Sequence, residues 1–146
     1  LEARGEMQLG SYLAGMAIEN SMLGATHACA NPLTTHYSTV HGAALAMLLP
    51  SVVRWNGAVA AYRYADLVRL FSTHTSAPAT APTETLAQRL EELASSGALH
   101  GSLSAAGVPA EDLRMLAEEA AEQWTGTFNP RPFDQAGALE VYECAY

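Results

Sequence analysis

Residues 26 to 42, Thr-His-Ala-Cys-Ala-Asn-Pro-Leu-Thr-Thr-His-Tyr-Ser-Thr-Val-His-Gly, hold three of the chain's five histidines. Neutral imidazole is a good ligand for zinc and iron, and ligands fixed at helix ends are well oriented. Pro32 steers Asn31 away from helical angles, which predicts that His27 ends a helical region. His41 should open the next one. The Thr- and Ser-rich residues between them predict a turn that brings His27 and His41 to one point. Their small neighbours Ala25, Ala28, Ala30 and Gly42 leave room for a ligand. Cys29 is a poor third ligand, because two positions along a helix turn it roughly 200° from His27. The residues alone leave a second reading open, in which both histidines cap helix ends through ordinary hydrogen bonds. His36 reads as a turn histidine, and His74 and His100 as surface residues in loops.

The elements that must position these groups all read as helices. From Ala3 to Leu23 the apolar residues Met7, Leu9, Leu13, Met16 and Ile18 recur at helical spacing. Gly5, Gly10 and Gly15 within that span suggest close approach by a neighbouring element. His41 to Trp55 is apolar all round, as a buried helix is, and Pro50 predicts a kink near Leu49. Asn56-Gly57 should stop it, with a separate helix from Ala58 to Phe71. Ser72 to Pro82 reads as an exposed, mobile loop. Thr83 to Ser96 is amphipathic, with Leu86, Leu90 and Leu93 inward, and Gly97 closes it. Pro109 opens a helix that buries Leu113, Leu116 and Ala120. Pro132 starts the last one, with Asp134 in its first turn. Tyr62, Tyr64, Trp55, Met7 and Met16 are expected in the core. No segment alternates as a strand would, so the expected fold class is all-α.

Composition narrows the function classes. A length of 146 residues fits one domain, and 49% apolar content supplies a core. A net charge of −8, with no lysine and no clustered arginine, argues against a nucleic-acid partner. No uninterrupted apolar run of about 18 residues exists, so no membrane partner is expected. Leu1-Glu2-Ala3-Arg4-Gly5-Glu6 does not read as a signal peptide. Cys29 and Cys144 lie far apart without a CxxC spacing, which points to reduced thiols and a cytoplasmic location.

The pattern as a whole is more specific. The stretch from Glu2 to Asn56, with its His27 block, His41-Gly42 and an apolar helix running into Pro50, resembles the C-terminal helical domain of the iron-containing (group III) alcohol dehydrogenase family. Residues 107 to 120 and 129 to 146 look like that family's closing helices. The resemblance covers nearly all of residues 1–146, read as one metal-binding helical domain of a dehydroquinate synthase-like fold. It implies a larger two-domain enzyme whose N-terminal α/β domain is absent from this chain.

Carried over residue by residue, the resemblance makes His27 and His41 metal ligands. The family's other two ligands, an Asp and a His four residues later, would lie upstream. Asn31 stands where many members carry a second histidine, a non-ligand beside cofactor and substrate, and is the position assigned a catalytic role. An asparagine there can hydrogen-bond but cannot titrate. Val40 replaces the proline that usually precedes the second ligand, and Thr34-Thr35 replaces a glycine.

The resemblance implies hydride transfer between a small alcohol or aldehyde and NAD or NADP, with Fe2+ as Lewis acid, in a homo-oligomer. The nicotinamide cofactor would be held mainly by the missing domain, and no residue here is assigned to it. Two other readings stand beside it. One is a related Zn2+-dependent enzyme of the glycerol dehydrogenase kind. The other is a truncated helical interaction module without activity.

Overall fold

The computed structural model describes residues 1–71 and 81–146. Most of the expected 72–82 loop, His74 included, lies outside the described residues. Among those described there are six α-helices and no strand: α1 (Glu2–Ser21), α2 (Ala25–Tyr37), α3 (His41–Phe71), α4 (Pro82–Ser96), α5 (Leu113–Ala121) and α6 (Gln135–Ala145). Short 3₁₀ turns occupy Ala110–Asp112 and Trp124–Phe128. The all-α expectation holds.

One core joins α2, α3, α5 and α6. Its buried members include Cys29, Leu33, Leu48, Leu116, Val141 and Tyr142, all fully enclosed. Asp134 caps α6, its side chain accepting from the Gly137 backbone N–H at 2.9 Å. A smaller cluster of Val53, Val68, Leu86 and Ala87 seals α4 against α3. Arg54 fastens the same pair of helices, reaching Glu84 at 2.8 Å and Glu91 at 2.5 Å.

Several local expectations give way to packing. Residues 25 to 37 are not a turn but a helix, and it runs through Asn31 and Pro32. An interior proline forfeits one hydrogen bond and costs about 3 kcal/mol. Burial of Ala25, Ala28, Cys29, Pro32 and Leu33 along one side offsets that cost. His27 therefore begins a helix and does not end one.

Likewise α3 is continuous through Pro50 and Asn56-Gly57. Asn56 is buried and pairs reciprocally with Asn129, at 3.1 and 2.8 Å. At Gly57 α4 comes close: a Cβ there would lie 2.7 Å from the Thr83 Cγ2 atom. The helix breaker of the sequence is a contact point in the fold. With more than half of its most apolar stretch buried, α3 is a core helix, although its length and composition alone would suit a membrane.

Ser38, at φ 53°, closes α2 in the left-handed region, and the chain reverses within residues 38–40. A non-glycine residue there costs roughly 1 kcal/mol. The result is a tight hairpin of α2 and α3.

The first helix behaves differently. No residue of α1 is buried, and Met7, Tyr12, Leu13 and Met16 all face solvent. Gly5, Gly10 and Gly15 have nothing within 4 Å of an added Cβ. The expected close neighbour is not found among the described residues. Met7, Met16 and Tyr62 are exposed where core positions were expected, whereas Trp55 is buried. Leu93 is exposed too. Gly97 ends α4 at an ordinary φ of −85°, so it does not supply the left-handed cap.

Candidate metal site between two helix starts

His27 lies in the first turn of α2 and His41 is the first residue of α3. The hairpin turn sets their separation: the ring centroids are 5.4 Å apart and the planes meet at 51°. With a metal–nitrogen distance of about 2.1 Å and about 1.1 Å from nitrogen to ring centre, two imidazoles at a tetrahedral angle stand roughly 5.2 Å apart. The observed spacing fits two ligands of one metal ion.

Hydrogen bonding tells the same way. Among the described residues, none bonds to a ring nitrogen of His27 or His41, so the two do not cap helix ends with their side chains. The His27 imidazole is held below its ordinary pKa, first by burial and then by the nearby His41. Both effects favour the neutral ring, which is the form that binds metal. His41 is exposed.

The pair is only part of a ligand set. No group of three or more His, Cys, Asp or Glu side chains that could hold a metal occurs among the described residues. Cys29 does not supplement it. Its thiol is fully buried on the other side of α2, with its pKa pushed up to about 12 by burial. Its backbone carbonyl accepts a 2.6 Å hydrogen bond from the Tyr142 hydroxyl, which ties α2 to α6.

Asn31 follows His27 by one helical turn and so shares its face of α2. Its amide nitrogen donates to Gln123 Oε1 at 2.9 Å. His36, in the last turn of the same helix, is exposed and pairs with the Glu119 carboxylate at 2.8 Å. That contact accounts for His36 without a metal. His100 is exposed in the stretch after α4.

Sequence reasoning missed Gln123 and Glu119. They lie 92 and 83 positions from their partners, and only a periodic pairing of α2 with α5 could have signalled them.

Residues 1–146 match the family model described as "Fe-containing alcohol dehydrogenase family, C-terminal". The chain is 32% identical to lactaldehyde reductase of Escherichia coli K12 over 146 residues, covering 99% of this chain and 38% of that protein. It is also 32% identical to the 1,3-propanediol dehydrogenase of Citrobacter freundii, covering 100% of this chain and 38% of the relative. A solved 1,3-propanediol oxidoreductase superposes with a TM-score of 0.91 at 30% identity, over 99% of this chain and 38% of that one. The chain thus spans well under half the length of these relatives. It belongs to the Fe-containing alcohol dehydrogenase family and matches the C-terminal part of its members.

Proposed function

We propose that this chain is the metal-binding helical part of a cytoplasmic, homo-oligomeric oxidoreductase acting on a small alcohol or aldehyde with NAD or NADP. The observation that carries this is the His27–His41 pair, 5.4 Å apart with no hydrogen bond to either ring from a described residue. It stands in a chain that matches the family from end to end.

When bound, a divalent iron held partly by this pair would act as a Lewis acid toward the substrate oxygen during hydride transfer. The chain's own contribution is positional. The α2–α3 hairpin fixes both imidazoles at helix starts, and burial keeps His27 neutral and ready to donate its lone pair. Asn31 lies one turn further along the same face, at the edge of the site, where it can hydrogen-bond a bound ligand. The remaining ligands and the nicotinamide pocket belong to the rest of the protein. These 146 residues alone should therefore bind metal weakly and show no dehydrogenase activity.

The test is metal analysis of the full-length protein purified without oxygen, together with NAD(P)H assays over a panel of alcohols. One equivalent of iron and turnover are expected. His27→Ala and His41→Ala should each remove most of the metal and most activity while leaving the helical content unchanged. His36→Ala should leave the metal in place. Loss of metal on His36→Ala alone would overturn the assignment. One equivalent of zinc in place of iron would move the reading to the glycerol dehydrogenase kind.

A further inference from the structure

Two cavities between α3 and α4 adjoin and differ in character. The first, about 340 Å³, lies where α3, α4, residues 99–101 and the end of α6 come together, and its lining includes Ser51, Glu91, His100 and Cys144. The second, about 260 Å³, is lined among the described residues by apolar side chains alone, Leu90, Leu93 and Leu99 among them. Ala46, Ala94 and Leu99 border both, so the two are halves of one groove. Neither His27 nor His41 lines it.

Ser51 is only 3% exposed, and its hydroxyl hydrogen-bonds no described residue. Among the described side chains, the Thr125 hydroxyl alone is fully enclosed without a partner. The Ser51 oxygen is therefore not sealed in the core; it opens on the cavity that Ser51 lines. A buried hydroxyl is costly to leave unpaired, so the missing partner belongs to whatever fills that space. Glu91 stands in the same lining. Arg54 takes one of its carboxylate oxygens at 2.5 Å, and no described residue donates to the other. No arginine lines either half, and the chain has no lysine. The polar half thus offers acceptors and negative charge, and the other half offers an apolar wall.

We propose that this groove binds an alkylammonium, a protonated primary amine whose head donates to Ser51 Oγ and the Glu91 carboxylate. Its chain lies along Leu93 and Leu99, which are exposed without it. The two halves together hold a head and a chain of about six carbons. A carboxylate head of the same length meets the Glu91 charge and is rejected.

Cys144 is an exposed free thiol on the cavity wall and reports occupancy, whereas Cys29 is buried. The experiment follows alkylation of Cys144 by iodoacetamide in the full-length protein, read by peptide mass spectrometry, at about pH 7.5, where an alkylamine is protonated. Hexylamine should slow the labelling saturably, at concentrations about tenfold below those butylamine needs, because two more methylenes are covered. Hexanoate should not slow it. Ser51→Ala should raise the half-protecting concentration of hexylamine about fivefold, the worth of one hydrogen bond, without lowering the urea midpoint. Leu93→Gln, at an exposed position, should remove most of the advantage of hexylamine over butylamine. Equal protection by hexanoate, no protection by either amine, or a Cys144 that does not alkylate in the full-length protein would overturn the proposal. An unchanged half-protecting concentration in both folded variants would do the same.

Discussion

Helices α1 and α3 carry the same kinds of residue and meet opposite fates. Both are rich in Ala and Leu, and both carry glycine inside the helix. In the first half of α3 most apolar side chains are buried, Ala44, Met47, Leu48, Val52 and Val53 among them, and at Gly57 α4 comes close. In α1 nothing is buried, and three glycines face open space. An apolar pattern states that a surface suits a cover; it does not name the cover. A glycine in a helix is informative in the same conditional way: it permits close approach, and only the neighbour shows whether the approach is used.

The largest contrast should appear on truncating one apolar residue from each side of that divide. Tyr142→Ala removes a fully enclosed ring and its hydrogen bond to the Cys29 carbonyl, and should destabilise the chain by about 4 kcal/mol in urea unfolding. Leu13→Ala on α1 should stay within about 0.5 kcal/mol. Equal losses would break the comparison.

Glycine gives the next test. In Gly137→Ala on α6 the new Cβ would fall 2.4 Å from Trp55 Cζ2. That indole cannot step aside easily, since its N–H donates to Glu140 at 2.7 Å and Arg131 stacks 4.0 Å from the ring centre. A loss of about 2 kcal/mol is expected. Gly10→Ala on α1 should do the reverse and stabilise the helix locally by up to about 1 kcal/mol, read by amide exchange. The same substitution in the full-length protein sharpens the point. There, a loss of stability would show that the glycine does face a close neighbour.

The smallest effect is one of pH. Burial and His41 depress the His27 pKa below its ordinary 6.5, so the unfolded chain binds the proton more readily than the folded one. Stability from this group is complete above pH 6.5. It falls as the pH drops toward the lower folded value, and is flat below that. In His27→Gln this slope should vanish from urea midpoints measured without metal between pH 8 and pH 5. His41→Gln should reduce it only partly, because burial is the larger cause.

How much of this was written in the sequence varies with distance along the chain. The sequence marked α1, α4, α5 and α6 and divided α3 into two helices, while α2 read as a turn; the resemblance singled out His27 and His41, which the structure brings together. The errors came where local chemistry and packing disagree. Pro32 and Asn56-Gly57 are breakers by propensity, and a helix runs through each because its buried side outweighs the local cost. The 26–42 stretch is rich in Ser and Thr and reads as a turn, yet Ala28, Cys29 and Leu33 needed a partner surface, and α3 and α5, with α6, supplied it. Gln123 could not be found at all. A single polar residue in the stretch after α5 carries no local signal that it will hold an amide on α2.

That last separation bears on the order in which the site is assembled. His27 and His41 are joined by one tight hairpin, a short loop whose closure costs little entropy, so the pair can form among the earliest contacts of the folding chain. Asn31 receives its anchor from a residue 92 positions away, after α5 has docked. A folding chain would thus gather its imidazoles before it orients the amide beside them. Conditions that loosen α5 while sparing the hairpin should leave a protein that still brings its two imidazoles together and has lost the Asn31–Gln123 hydrogen bond.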